Sequence, residues 1–419
     1  MLGLASGVRS QNFDLGSDAH LKYKGSVFAA GWWYPETPVD PSQPDWLSSV
    51  GGREDLVLQL PMHLEARANA QVQLDLRDSD RNRYVLDDLY LDYSSDHFEI
   101  RAGLQIFSWK TVETVSQADF LNQKDWDLDF LDPPKRSELA IRTRFKFTQG
   151  SNHTIELYYL PYFNPAELPG RGNRYDILAG TAGVELRNGE PIYDSPHKRW
   201  RPEGAIRYTS TWFDKIDVAA FYFNGYRRFP FLDPEFSPAT GKVTLRQRYT
   251  PVSITGATFQ GVLENWLIKG EMAYNMFEQD QISQAGTKVD PYLTYSLGFE
   301  YTIYSPIVDN QDLGAILEFI GDSDWGKDSR ELEGFRTNRS NIFLGMRYAF
   351  NNVADQSLFA GAMVDYQNYD LYIQSFAEQK ISDNFRVRFE CSGFTIVRSE
   401  EMAPFSKTLK LGGKVSYNW

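Results

Sequence analysis

The last thirteen residues, 407–419, alternate between two kinds of side chain. One set is apolar or small and consists of Leu409, Leu411, Gly413, Val415, Tyr417 and Trp419. The other set is polar and includes Lys410 and Lys414. A period of two predicts a β-strand with one apolar and one wet face. The apolar face packs on a core in a soluble sheet, and it faces lipid in a transmembrane barrel.

Composition favours the membrane alternative. Aromatic residues make up 15% of the 419 residues, which suits a barrel with two interfacial girdles. The mean hydropathy is −0.46, and no run approaches the roughly 20 apolar residues that a membrane helix needs. A net charge of −13 argues against a nucleic-acid partner. The single cysteine, Cys391, cannot form an internal disulfide, and its parity places it on an apolar face.

The whole chain predicts an all-β fold, a transmembrane antiparallel barrel of about 18 strands with short periplasmic turns and long outer loops. The predicted strands lie near 20–34, 54–67, 70–78, 83–93, 97–109, 137–147, 153–163, 201–213, 215–228, 244–262, 265–278, 291–305, 312–321, 340–351, 356–366, 369–381, 384–397 and 407–419. A β-propeller would show repeats of roughly 40–50 residues, and none is present.

Connection lengths give the predicted topology. Tight turns at 94–96, 214–215 and 382–384 alternate with longer links, which places both termini on the periplasmic side. We expect one domain over 1–419, with 1–19 as an N-terminal periplasmic segment. The start of the chain lacks a charged region followed by an apolar one, so we expect a mature chain whose signal was removed.

The predicted lumen carries both signs of charge. Its candidate pore-lining cations are Arg67, Arg77, Arg101, Arg142, Arg144, Lys146, Arg386, Arg388 and Lys410. Acidic residues alternate with them, so a cross-strand network that stiffens the wall is one interpretation. A guidance path for an anionic solute is the other, because rings of Lys and Arg favour anions.

The link at 110–136 is long and mixes acidic with apolar side chains, among them Phe120, Leu128 and Phe130. That is too apolar for a solvated tip, so we expect this loop to fold into the barrel as a constriction or cap. The alternative is packing on neighbouring loops outside. The candidate constriction residues are Trp109, Asp119, Asn122, Asp125, Trp126 and Asp127.

Two stretches resemble a known family. Gly103-Leu-Gln-Ile-Phe-Ser-Trp109, followed by Asp119, Asn122 and Asp125, resembles the Gly-x-Gln…Trp…Asp-x-x-Asn-x-x-Asp stretch of uncharacterised outer-membrane barrels similar to the alginate-export porins. The run at 156–170 is similar to the same group. This resemblance covers about 97–175. It implies an outer-membrane channel and does not imply any particular substrate. Leu104 replaces a basic residue that is frequent in that family.

The chain end and the localisation go together. A last strand that ends on Tyr417 and Trp419 resembles the closing strand of outer-membrane barrels, which the barrel-assembly machinery reads. The resemblance implies the bacterial outer membrane, with membrane lipid and lipopolysaccharide as surroundings.

The sequence gives weaker evidence for metal-binding and catalytic sites. Asp125, Asp127, Asp129 and Asp132 alternate like calcium ligands, but an EF-hand loop would need Gly and Glu where Phe130 and Arg136 stand. The run 322–328 is incomplete in the same way. We therefore expect no cofactor, and keep a structural Ca²⁺ in the outer loops as the alternative. No HExxH or Gly-x-Ser-x-Gly motif occurs, so we expect no enzyme.

These patterns lead to two hypotheses. The first is a passive channel for a hydrophilic solute or polysaccharide, with an anionic one as the narrower expectation. In it, Arg101, Arg142, Arg144, Arg386 and Arg388 attract the solute, and Trp109 and Trp126 stack on a sugar or line the constriction. The second is a barrel that holds a lumenal or periplasmic partner protein such as a lipoprotein, a cytochrome or a secretion component.

Overall fold

The fold is a closed barrel of eighteen antiparallel strands. A computed structural model describes residues 11–14, 19–129, 133–147, 152–186, 189–238, 241–278, 290–324, 336 and 338–419. The strands β1 to β18 span His20–Trp33, Trp46–Leu60, Leu64–Asp75, Arg83–Ser94, Phe98–Gln105, Glu138–Phe147, Asn152–Leu160, Glu203–Trp212, Ile216–Tyr226, Pro251–Leu263, Trp266–Phe277, Tyr292–Tyr304, Asp312–Asp322, Ser340–Ala349, Ser357–Asp365, Leu371–Lys380, Phe385–Ile396 and Lys410–Asn418. The prediction of an all-β transmembrane barrel is confirmed.

The first and last strands close the barrel. They pair from Ser26 opposite Asn418 to Trp33 opposite Leu411. Beyond the last strand, the backbone N–H and C=O of Trp419 bond to Gly25 at 3.0 and 3.2 Å. Closure leaves no unpaired strand edge, which is the condition for a sheet to cross lipid.

The burial pattern is inverted relative to a soluble sheet. On β4, Leu89 and Leu91 are 48% and 50% exposed, whereas Tyr90 and Asp92 between and beyond them are each 6% exposed. The apolar parity therefore faces outward, and the polar parity faces the lumen. An exposed apolar exterior is stable only where lipid covers it.

The two ends of the barrel differ. Residues 61–63, 95–97, 213–215, 264–265 and 381–384 make short turns at one end, named the short-turn end here. Long links such as 106–137, 161–202 and 227–250 leave the other end, the long-loop end. Because β1 begins and β18 ends at the short-turn end, that end is the periplasmic one in an outer-membrane barrel. The predicted alternation of turns and loops is confirmed.

Both ends of the second predicted strand are wrong, because β2 spans Trp46–Leu60 and not 54–67. The predicted strand 54–67 runs across a turn at 61–63, where Met62 and His63 have φ of 60° and 63°. Leu60 and Leu64 lie on either side of this three-residue turn and keep the same parity. The alternation thus continued through the turn and concealed it.

A second prediction fused two strands. The predicted strand 244–262 divides into Lys242–Tyr249 and β10, which begins at Pro251. Proline has no N–H, so it falls where the ladder is interrupted. The first part pairs with Phe231–Ser237 in a small sheet at the long-loop end, which Val184–Leu186 and Ile192–Tyr193 join.

Little helix accompanies the strands. The described part of the chain contains short 3₁₀ turns at Ser79–Arg81, Lys198–Trp200 and Ala403–Phe405. Within the described residues, no helix has the length and apolar character needed to cross a membrane. Of the predicted N-terminal segment 1–19, Gln11–Asp14 pairs with the start of β1, and residues 1–10 and 15–18 lie outside the described residues.

Leu89 tests the inverted burial. We expect Leu89→Arg to destabilise the barrel in lipid vesicles by about 2–4 kcal/mol, because it places a cation against acyl chains near mid-strand. Leu89→Met keeps the apolar volume and is the control. Denaturant unfolding in vesicles measures both, and equal stability of the two variants would contradict a lipid-facing Leu89.

Candidate channel lumen and constriction loop

The predicted cations near the short-turn end converge on one carboxylate. Arg142, Arg144 and Lys146 of β6 lie 3.3, 3.2 and 2.8 Å from the oxygens of Glu99 on β5. Their side chains face the lumen because they share the parity opposite to exposed Leu139 and Ile141. One anion therefore neutralises part of three cations.

The neighbouring charges continue this network. Arg144 also contacts Glu156 at 2.6 Å, and Arg207 of β8 lies 3.6 Å from the same carboxylate. Arg101 donates to Asp92 at 2.6 Å. The part of the network nearest the short turns, from Asp92 and Glu99 to Lys146, lines a cavity of about 1310 Å³ that opens at the short-turn end.

A second network lies on β16 and β17. Arg388 stands between Glu378 and Glu390, with 3.4 Å to an oxygen of each. Arg386 contacts Glu378 and Asp355, also at 3.4 Å. These pairs are half-exposed in the lumen, so each is weak by itself.

The remaining predicted cations fall into two groups, those that pair with carboxylates and one that lies outside the lumen. Arg67 pairs with Asp55 at 3.0 Å, and Lys410 pairs with Asp129 at 2.7 Å. Arg77 was predicted on a lumenal strand, but it lies beyond the end of β3, with its guanidinium 4.8 Å from the ring centroid of Trp46. Trp46 is 46% exposed, so Arg77 stacks at the outer aromatic girdle.

The loop 106–137, named the constriction loop here, is held by Glu271 of β11. The carboxylate accepts hydrogen bonds from the backbone N–H groups of Thr111, Val112, Gln117 and Ala118 at 2.6, 3.3, 2.6 and 3.0 Å. The hydroxyls of Thr111 and Ser116 donate to it at 2.9 and 2.6 Å. A charged acceptor strengthens each of these bonds.

Glu318 of β13 holds the tip of the constriction loop. It accepts from the N–H groups of Glu113 and Thr114 at 2.5 and 2.9 Å. Glu113 in turn pairs with Lys269 at 2.7 Å and with Arg347 of β14 at 3.0 Å. A loop that starts between β5 and β6 thus crosses the lumen to β11, β13 and β14.

Apolar contacts hold the base of the loop. Trp109 is 2% exposed, and its indole N–H donates to the hydroxyl of Tyr158 at 3.2 Å. Phe120 packs against Phe221 and Phe223 of β9, with ring centroids 5.6 and 5.2 Å apart. Trp109 was considered for stacking on a sugar, but its burial leaves no ring face for a solute.

The residues that carry the family resemblance form hydrogen bonds between different parts of the constriction loop. The Asn122 oxygen accepts from the Phe107 N–H at 2.7 Å, and its amide donates to the carbonyl oxygens of Gln105 and Arg136 at 2.9 and 2.8 Å. Asp119 accepts from the Trp109 N–H and from the Lys135 ammonium. The spacing of these residues therefore serves loop architecture.

The candidate calcium carboxylates contact cations. Asp125 and Asp127 accept from Arg83 at 2.7 and 2.8 Å, and Asp129 pairs with Lys410. Burial raises the pKa of Asp127 despite the opposing guanidinium of Arg83. Within the described ranges, no cluster of three or more His, Cys, Asp or Glu side chains could hold a metal. Phe130, Leu131, Asp132 and 325–328 lie outside those ranges.

A second loop crosses the outer mouth. Arg174 of the link 161–202 is 2% exposed and donates to the carbonyl oxygens of Pro44, Lys407 and Glu36 at 2.7, 3.0 and 3.1 Å. Those carbonyls belong to the links beside β1 and β18, which are six and seven strands away from β7 around the barrel. Trp126 packs edge-on to Phe229 with centroids 5.1 Å apart.

An unfilled space remains at the long-loop end. It is a cavity of about 830 Å³ between the constriction loop and the inner faces of β2–β4 and β12–β17. Lys110, Gln117 and Trp126 bound it from the loop, and Tyr292 and Asp365 bound it from the wall. Burial raises the pKa of Glu401, which lies at its outer edge.

The roles of Glu318 and Arg174 were not predicted from the sequence. Glu318 stands between Ile316 and Ile320, which face the lumen and are 3% and 1% exposed. Apolar residues on both faces of a barrel strand mark a wall that a loop covers, and this was the available signal. No comparable local pattern precedes Arg174.

Comparisons with known proteins identify the architecture. No protein-family model matches the chain. No curated protein matches it either. A BenF-like porin from Pseudomonas fluorescens Pf-5 aligns over 96% of this chain and 98% of its own, with 9% identity and a TM-score of 0.54. OpdQ of Pseudomonas aeruginosa aligns over 96% and 97%, with 8% identity and a TM-score of 0.51. The fold is that of porin-like barrels of the bacterial outer membrane.

Glu271 tests the attachment of the loop. We expect Glu271→Gln to speed hydrogen exchange of the amides at 111–118. The substitution removes the negative charge and replaces one carboxylate oxygen by an NH₂ group, which cannot accept the loop's N–H groups. Losing one charge-assisted bond costs about 1.5–3 kcal/mol, roughly tenfold or more in exchange. Glu300→Gln removes a carboxylate that pairs with Lys269 and contacts no loop amide, and serves as the control. Equal exchange in both variants, measured by mass spectrometry, would contradict the attachment.

Proposed function

We propose that residues 1–419 form a single-domain passive channel for hydrophilic solutes in the outer membrane. The observation that carries this proposal is an eighteen-strand lumen that the chain's own loops fill only in part. Cavities of about 830 and 1310 Å³ open at its two ends, and charged side chains line both. A barrel of this size leaves an aqueous path. The constriction loop sets the width of that path, and no chemical step is involved.

Charge pairing makes the channel weakly selective overall. Arg142, Arg144 and Lys146 share Glu99, and Arg388 stands between two carboxylates. A general preference for anions would need cations without such partners. The predicted guidance of anions by these arginines therefore has little support.

The chain's own loops argue against a partner protein inside the barrel. The constriction loop reaches from β5 to β14, and Arg174 fixes a second loop across the mouth. A folded protein would have to displace both. The proposal of a lumenal lipoprotein or cytochrome partner has no observation in its favour.

Swelling of proteoliposomes in neutral solutes tests the channel. We expect solutes below a size limit to enter at rates that fall with molecular size, since a constricted aqueous path sieves. A Glu271→Gln and Glu318→Gln double variant should raise the limit because it releases the loop. Impermeable proteoliposomes, with both variants folded, would contradict a channel.

Glu99 tests the charge pairing. We expect Glu99→Gln to shift the chloride-to-potassium permeability ratio toward chloride by roughly twofold, the effect of about half a kcal/mol of electrostatic energy. Glu185→Gln removes a carboxylate that pairs with Lys242 outside the barrel, and should leave the ratio unchanged. Reversal potentials in a salt gradient measure both. A null effect of Glu99→Gln would show that the pairing does not set selectivity.

A further inference from the structure

An uninterrupted row of residues crosses the open side of the lumen. It runs from Arg347 to Phe359, Phe376, Glu390 and Gly412, each directly opposite the next on neighbouring strands. The row then reaches Trp32 on β1, which lies opposite Gly412. All of these positions have the lumenal parity. We name this row the lumenal track.

The track connects the two ends of the barrel. Arg347 lies two residues before β14 ends at the short-turn end, and Trp32 lies one residue before β1 ends at the long-loop end. Barrel strands are tilted, so a row perpendicular to them climbs along the axis. A solute that follows the track would pass from one mouth to the other.

Aromatic rings form much of the track. Phe359 and Phe376 stack with centroids 5.3 Å apart, and the Arg388 guanidinium covers the far side of this stack, 3.9 Å from the Phe376 centroid. Rings stacked on one another in this way present their edges to the lumen as an apolar strip. Both phenylalanines are half-buried.

Trp32 offers a flat surface at the outer end. Its ring lies so close over Gly412 that any side chain at that position would collide with it. Its indole N–H donates to Glu390 at 2.7 Å, which fixes the plane of the ring against the wall. The ring is half-buried, so part of it stays accessible from the lumen.

Charges of both signs lie beside the track. Arg347 lies between Glu113 and Glu300, at 3.0 and 4.0 Å. Arg388 likewise lies between two carboxylates. With Lys414, whose ammonium is 4.1 Å from the Phe28 ring, three cations face four carboxylates here: Glu113, Glu300, Glu378 and Glu390. The excess of one carboxylate gives an anion no advantage, and the groups of both signs supply hydrogen-bond donors and acceptors.

We propose that the lumenal track binds neutral carbohydrate, with Trp32, Glu390 and Arg388 as its principal subsite. A sugar ring has an apolar face of C–H groups and hydroxyls around its edge. The Trp32 ring matches the face, the Glu390 carboxylate accepts from hydroxyls, and Arg388 donates to them. The Phe376–Phe359 strip continues the apolar contact. This inference rests on the proposed channel function and names its substrate class.

Weak repeated contacts suit passage better than one tight site, because a solute must leave as readily as it enters. The track provides several weak contacts one after another along the barrel axis. It also explains why aromatic rings occupy positions on the lumenal wall that would ordinarily carry polar side chains in contact with water. The constriction loop adjoins the end of the track nearest the short turns, where Val115 of the loop and Phe359 both pack against the buried cluster of Ile316, Ile320 and Phe343.

Current interruptions by maltotriose in planar bilayers test this subsite. We expect maltotriose to interrupt the wild-type current and Trp32→Leu to weaken this binding roughly tenfold, as loss of a stacking face would. Trp33→Leu is the matched control, because Trp33 is the next residue, faces lipid and is 54% exposed. It should bind maltotriose as the wild type does. Trp32→Phe keeps an aromatic face and should bind with intermediate strength, which separates stacking from a folding defect.

The outcomes are distinguishable. If the channel conducts but maltotriose leaves the current uninterrupted, or Trp32→Leu and Trp33→Leu bind it equally, the track does not bind carbohydrate and the channel proposal stands. Stronger interruption by benzoate or by trigalacturonate than by maltotriose would also overturn the inference, in favour of an anion path. A wild-type protein that carries no current would overturn the channel proposal, and the substrate class with it.

Discussion

Closure of the sheet is the constraint on which the structure depends. Lipid offers no hydrogen bonds, so the edge of β1 must meet the edge of β18. Pairing from Ser26 to Trp33 with the last strand meets this need, and lipid outside the closed sheet places the apolar parity outward. Once that parity is set, every lumenal side chain is set too. The charge networks and the lumenal track follow from this parity and from the register of each strand pair.

The lumen that closure creates is too wide to be packed by wall side chains alone. The chain fills part of it with the constriction loop, and the wall changes character beneath that loop. Ile316 and Phe343 are buried where the loop covers them, whereas Arg388 on the open side is partly exposed. Carboxylates at 271 and 318 hold the middle of the loop through its backbone N–H groups, and the loop's own apolar and polar side chains hold its base.

Period-two alternation predicted the architecture well because lipid outside and water inside repeat the same contrast on every strand. It failed at 61–63 because a three-residue turn preserves parity. The pairing of Arg142 and Arg144 with Glu99 was within reach as one of two interpretations. The apolar neighbours of Glu318 indicated a covered wall, but not which loop covers it. The roles of Arg174 and Trp32 were out of reach, since each depends on which distant strand or loop lies opposite. Local sequence carries no information on which distant segments come together in the fold.

Single-channel recording of the purified protein in a planar bilayer tests the central claim most directly. The lumen between the constriction loop and β15–β18 predicts steady steps of current from one polypeptide, with weak preference between potassium and chloride. A correctly folded protein that leaves the bilayer silent would contradict the account. It would mean that the loops, held by Glu271, Glu318 and Arg174, seal the barrel.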